Sequence, residues 1–161
     1  MTTLGVLQVG DASLVLRRAV EADVAAVVDL LGDDRLGAAR ESRVDDLEPY
    51  LVAFRAIDAD PAHLLLVADD DTRVVATMQL TFLPGLARRG ALRAQIEAVR
   101  VHRDFRSRGL GAAMFEWAIA ESRRRGCALV QLTTDKARTD AHRFYARLGF
   151  VNSHEGLKLL L

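Results

Sequence analysis

The run Arg106-Ser107-Arg108-Gly109-Leu110-Gly111, followed by Ala112, places two arginines and two glycines within six residues. A tight glycine turn points several backbone N–H groups at one spot. A helix that starts there adds the positive end of its dipole, and together they bind phosphate. Gly109 and Gly111 have no side chain to hold an anion away from the main chain, and Arg106 and Arg108 add charge where a pyrophosphate would lie. Two nucleotide readings fail on spacing. A P-loop needs Gly-Lys-Ser/Thr, which is missing, and a dinucleotide fingerprint needs a third glycine where Met114 stands. The remaining pattern, Arg-x-x-Gly-x-Gly, fits a phosphate-binding turn and equally a glycine turn that carries surface arginines.

The elements that must position this turn follow from periodicity. Residues 92–101 alternate like a strand and carry Gln95, Glu97 and Val99 to Val101 into the loop that begins at His102. From Gly109 to about Arg125 the pattern is helical, with Leu110, Ala113, Met114, Trp117 and Ala118 on one face, and Gly126 ends it. Residues 128–133 read as a strand. Residues 140–148 read as a helix, with Ala141, Phe144, Tyr145 and Leu148 at i, i+3, i+4 and i+7. Gly149 terminates it, and the residues that remain are expected to form a last strand.

Upstream, residues 13–18 predict a strand and 21–31 a helix on Val24, Val27, Val28 and Leu31. A polar stretch covers 32–44. Asp45 with Glu48 resembles a capping box, opening a helix that runs to about Ile57, with Pro49 in its first turn. Residues 63–69 and 74–82 predict a hairpin across Asp70-Asp71-Thr72, and 84–90 a loop. Residues 1–12 are weakly patterned and predict a loose start. The order β-α-α-β-β-β-α-β-α-β implies one α/β domain over 1–161, a mixed sheet with helices on both faces.

A second segment, Ala141-His142-Arg143-Phe144-Tyr145-Ala146-Arg147-Leu148-Gly149-Phe150, lies one strand after the glycine turn. With that turn, and with Leu16-Arg17-Arg18-Ala19 and Glu21-Ala22-Asp23 near the start, nearly the whole chain resembles the GNAT superfamily of acetyl-CoA-dependent N-acetyltransferases. The resemblance implies a largely antiparallel, splayed sheet. It implies acetyl-CoA as co-substrate, its pyrophosphate on the N–H groups of Arg106 to Ala112. The pantetheine arm would run antiparallel to Val99, Arg100 and Val101, and the thioester would enter the splay near Glu97.

Transfer to an amine has a definite requirement. An alkyl ammonium, with a reference pKa near 10.4, is almost wholly protonated at neutral pH. A base must remove its proton, a donor must stabilise the thioester oxygen, and an acid must meet the departing thiolate. The resemblance implies Glu97 as base through an ordered water, the N–H of Val99 as donor to the oxygen, and Tyr145 as acid. On residue type alone, Glu97 also suits an ordinary ion pair and Tyr145 an ordinary core aromatic. Relatives often carry an Asn at the position of Arg138, so a cofactor contact from Arg138 departs from the pattern. His102 and His142 read as loop and surface residues.

Composition narrows the partners. The chain has 22 basic and 22 acidic residues and a formal charge of zero, without the basic excess of a domain that tracks nucleic acid. No apolar run is long enough to cross a bilayer, and no N-terminal signal pattern is evident. The single cysteine, Cys127, precedes an apolar run and reads as an inert thiol in a reducing, cytoplasmic setting, with no metal cluster. The short apolar end Leu157-Lys158-Leu159-Leu160-Leu161 predicts strand pairing between copies and so a homodimer. The acceptor is expected to be a small-molecule amine or a peptide. Asp33, Asp34, Glu41, Asp45 and Asp46 suggest a cationic one, whereas Arg88, Arg89 and Arg93 suggest an anionic one.

Overall fold

The computed structural model describes residues 2–33 and 46–161. A six-stranded sheet runs in the order β1-β2-β3-β4-β5-β6. Its strands are β1 Thr3–Val9, β2 Ala12–Arg18, β3 His63–Asp69, β4 Val74–Leu83, β5 Arg93–Val101 and β6 Leu129–Leu132. All neighbours are antiparallel except β5 and β6, which are parallel. The helices are α1 Val24–Gly32, α2 Glu48–Ala59, α3 Leu110–Arg124 and α4 Thr139–Arg147.

The strands β3 and β4 are apolar on both faces because both faces are covered. On one side α3 sends Leu110, Met114, Phe115 and Ala118 against Leu16, Leu66, Met78, Leu80 and Ile96. Phe144 and Tyr145 of α4 pack at the border of that layer. On the other side Val24, Val27 and Val28 of α1 and Phe54 of α2 meet Leu65, Val67 and Val74. Burying one large apolar side chain such as Phe115 contributes roughly 1.5–3 kcal/mol, so these two layers dominate the stability. A buried charge cluster joins them at the rim. Arg17 reaches Asp23 at 2.6 Å and Asp69 at 2.8 Å, tying β2 to the entry of α1 and the end of β3.

Three expectations meet corrections. Residues 3–9 are a strand rather than a loose start: Leu7 and Val9 are buried and pair with Leu14 and Ala12. The Gly10-Asp11 pair makes the hairpin turn, with Gly10 at φ 59°. The stretch 84–90 contains a short helical turn, Ala87–Gly90, in which Arg88 and Arg89 take left-handed backbone angles. The last strand is missing: the chain after α4 carries no helix or strand, and Val151, Leu157, Leu159, Leu160 and Leu161 are exposed. The second helix begins at Glu48, whose N–H donates to Asp46 Oδ1 at 2.9 Å. Asp45 of the expected capping box, and most of the polar stretch 32–44, lie outside the described residues.

Candidate active site

The centre of the site is a break in β5. Pairing with β6 covers only Arg93 to Ile96, so among the described residues no strand pairs with that edge of residues 97–101. Within the same stretch the register against β4 slips between Thr77 and Gln79, and Ala98 takes φ 52°. This is a bulge: an extra residue opposite Met78, which flips the side-chain alternation. Ala94 and Ile96 face the α3 layer before it, and Val99 and Val101 face that same layer after it. Holding alanine in a left-handed conformation costs about 1–3 kcal/mol, strain of a kind that persists where the surrounding packing enforces it. The splay expected near Glu97 to Val99 therefore has a local cause, and the main chain of Val99 lies on the open edge.

The glycine turn follows directly. His102 accepts from the Asp104 N–H through Nδ1 at 3.3 Å and starts a 3-10 turn over Arg103–Phe105. Ser107 at φ 59° and Gly109 at φ 95° then reverse the backbone twice before α3 begins at Leu110. Such alternation gathers N–H groups into a concave nest. No side chain caps α3, and the N–H of Ala113 is the first seen bonding back to Gly109. The N–H groups of Leu110, Gly111 and Ala112 thus head the helix without intrahelical partners. A Cβ on Gly111 would meet Phe144 at 3.6 Å and Val101 at 3.9 Å, so this glycine lets α3 approach α4 and β5. These features suit a diphosphate on the turn and an extended chain along β5.

The two arginines do different things. Arg108 is exposed, its guanidinium 6.0 Å from the Phe105 ring. Arg106 is engaged: Nε donates to the Val101 carbonyl at 2.9 Å, and Nη2 to the carbonyl and carboxylate of Asp33, both at 2.8 Å. Arg100 donates through Nη1 to the Val99 carbonyl at 2.9 Å. The carbonyls of Val99 and Val101 thus accept from side chains.

Tyr145 sits in an aromatic cluster, its ring centroid 5.5 Å from Phe115, 5.4 Å from Phe144 and 6.0 Å from Phe150. Burial pushes its phenol pKa up, and the positive charges of Arg138 and Arg100 pull the other way without cancelling the rise. The phenol is therefore firmly protonated at neutral pH, as a proton donor must be. Glu97 is solvent-exposed, and the ion pairs of the described residues do not include it. It stands one residue before the bulge, at the open edge of β5.

The other candidates have structural roles. His102 caps the 3-10 turn, and His142 Nε2 lies 3.1 Å from the Asp135 carbonyl oxygen. Burial pushes the half-buried Cys127 thiol up, away from thiolate chemistry. Among the described residues, no group of three or more His, Cys, Asp or Glu stands close enough to hold a metal ion. No described helix is long and apolar enough to cross a membrane. Asp33, expected among the acidic residues that would draw a cationic acceptor, is instead the partner of Arg106. Ala98 escaped the sequence reading, although it had a signal: the apolar spacing 94, 96, 99, 101 slips by one residue.

The fold thus brings together an open strand edge at a bulge, an uncapped helix start behind a left-handed turn, and a protonated tyrosine on α4. Residues 24–150 match the acetyltransferase (GNAT) family, and the chain belongs to it. Over 60 residues it is 38% identical to the aminoalkylphosphonate N-acetyltransferase of Salmonella typhimurium, a match that spans 37% of this chain and 39% of that enzyme. A crystal structure described as a transcriptional regulator from Bacillus halodurans is 44% identical, with a TM-score of 0.88 over 92% of this chain and 99% of that one. An acetyltransferase of Trypanosoma brucei is 26% identical, with a TM-score of 0.74 over 92% and 99% of the two chains.

Proposed function

We propose that this protein transfers the acetyl group of acetyl-CoA directly to the primary amine of a small molecule. The observation that carries the reading is the bulge at Ala98, which frees the edge of β5 between the glycine turn and Glu97. In this reading the N–H groups from Arg106 to Ala112 hold the pyrophosphate, and Val99 to Val101 pair with the pantetheine. The Val99 N–H donates to the thioester oxygen. Glu97, exposed and hence in contact with water, takes the ammonium proton through a water molecule. Tyr145 gives its proton to the departing sulfur, and Arg138 lies beside the cofactor.

Residues 1–161 are read as one such domain, since both apolar layers share one sheet. A homodimer belongs to the same proposal: among the described residues β6 has a strand on one side only, and the apolar residues of the tail are exposed. Sedimentation velocity at micromolar concentration tests it, and a purely monomeric boundary refutes it. A cytoplasmic setting rests on the single thiol.

The test of the reaction is release of free CoA across amino sugars, aminoglycosides, polyamines, amino acids, aminoalkylphosphonates and peptides. Glu97→Gln should lower turnover on the order of 10²-fold while cofactor affinity stays near wild type. Full activity in that variant removes Glu97 as the base. A different acyl donor is tested with propionyl- and succinyl-CoA in the same assay. A second reading, a non-catalytic acetyl-CoA-binding sensor, is favoured by the description of the 44% identical structure as a transcriptional regulator. Tight acetyl-CoA binding with no acetylated amine would establish that reading instead.

A further inference from the structure

The face of the sheet opposite α3 changes character beyond β3. The apolar packing of α1 and α2 reaches the sheet at Leu65, Val67 and Val74, and among the described residues no apolar side chain of β5 or β6 joins it. Next to it, at one level of the sheet, four polar residues follow one another across four strands. His63 pairs with Thr81, Thr81 with Gln95, and Gln95 with Gln131. Ile96, Leu132 and Leu80 point into the α3 layer, so alternation puts this row on the other face.

The row is connected by its own hydrogen bonds. His63 Nδ1 lies 3.0 Å from Thr81 Oγ1, and Gln131 Nε2 donates to Gln95 Oε1 at 2.8 Å. These bonds fix the side chains without exhausting them. Gln95 and Gln131 each keep an N–H and at least one oxygen lone pair to offer outward. Both side chains are only half-buried, although β5 is flanked by β4 and β6 at this level. Glu97 projects from the same face one pleat further on, about 7 Å along β5 and next to the bulge.

Thr81 is buried and tied to His63, so it backs the row and does not face outward. We infer that the Gln95–Gln131 pair is the acceptor-recognition subsite, selecting amines that carry an uncharged hydrogen-bonding group, such as an amide, carbonyl or hydroxyl, about 7 Å from the reactive nitrogen. The inference rests on the acetyltransferase reading above. Neutral amides recognise dipoles rather than net charge. They penalise an acceptor that covers them with methylene, because their buried-side hydrogen-bonding capacity is then left unmet.

The test compares three acceptors of one length: hexylamine, 6-aminohexanamide and 6-aminohexanoate, each assayed by free-CoA release. Wild type should use 6-aminohexanamide with kcat/KM about tenfold or more above hexylamine. Gln95→Leu should bring that ratio near one through KM for the acceptor, with KM for acetyl-CoA unchanged. Gln131→Leu, on the edge strand, should do the same, and serves if the first variant fails to fold. Equal use of amide and hydrocarbon by wild type overturns the subsite, as does an unchanged ratio in folded variants. A preference for 6-aminohexanoate overturns it in favour of an anionic acceptor held by Arg93. If no amine is acetylated at all, the acetyltransferase reading fails, a result distinct from turnover without preference.

Discussion

Arg106 is bound to Asp33 through both the carbonyl and the carboxylate, at 2.8 Å each. The arginine best placed to add charge to the phosphate turn therefore spends that charge on the end of α1. Asp33→Asn keeps a polar partner and removes the negative charge. Both groups are partly exposed, so the released attraction is worth about 0.2–1 kcal/mol. KM for acetyl-CoA should fall roughly two- to fivefold at low salt, and the gain should vanish near 1 M salt. Arg106→Ala should raise the same KM. Initial rates against acetyl-CoA at two ionic strengths check both, and a higher KM in Asp33→Asn would show that the tie matters more than the charge.

Gly109 separates conformational strain from steric clash. Its φ is 95°, and a Cβ there would meet no atom within 4 Å. Gly109→Ala should therefore cost about 1–2 kcal/mol through the backbone alone. The chain can relieve that strain by turning the peptide that heads α3, which scatters the N–H groups. KM for acetyl-CoA should rise tenfold or more, against a modest loss in thermal stability. An unchanged KM would mean that the nest does not bind the cofactor.

Tyr145→Phe removes one hydroxyl and keeps the ring among Phe115, Phe144 and Phe150. Stability near neutral pH should change by less than about 1 kcal/mol, whereas turnover should fall about 10²-fold. Burial holds the folded-state phenol pKa above the unfolded value, so its contribution to stability is complete below pH ~10. It is lost as pH rises through the higher folded value. An alkaline limb of turnover owed to Tyr145 should likewise lie above pH ~10 and be absent from the variant. A limb near pH 8 that disappears in Tyr145→Phe would contradict this environment.

Periodicity made most of the architecture legible. The β3–β4 hairpin stands where its two apolar runs and the Asp70-Asp71-Thr72 turn put it, and α3 and α4 stand where i, i+3, i+4 spacing puts them, α4 with Phe144 and Tyr145 half-buried against the core. The first strand was overlooked although Leu7, Val9 and the Gly10-Asp11 turn announced it. Its outer residues, Val6 and Gln8, do not keep a clean polar alternation. The end of the chain misled in the opposite way, since an apolar run reads as a strand whether or not a neighbour exists to pair with it. Within the site, the glycine turn was legible from its residues, whereas Tyr145 was singled out by the family resemblance and not by its type. The capture of Arg106 by Asp33, 73 residues away, was not legible, because contact at that separation depends on the fold. The row of Thr81, Gln95 and Gln131 was invisible for the same reason: only strand register brings it together.

Ala98 is the remaining point at which the site can be tested without touching a group that does chemistry. Its φ of 52° is uncommon for any residue with a Cβ and a true outlier for a β-branched one. Ala98→Gly should leave stability unchanged or slightly raised, because glycine takes left-handed angles without steric cost. Ala98→Val cannot hold the bulge without further strain, and β5 should tend toward regular pairing with β4. Regular pairing shifts every later side chain to the opposite face, so Val99 and Val101 would leave the α3 layer and the main chain at Val99 would turn from the open edge. The expected signature is a loss of turnover and of acetyl-CoA affinity in Ala98→Val that exceeds its loss of stability, alongside near-normal values for Ala98→Gly. Rates and thermal melts on both variants decide it, and an Ala98→Val enzyme of wild-type activity would show that the bulge does not shape the site.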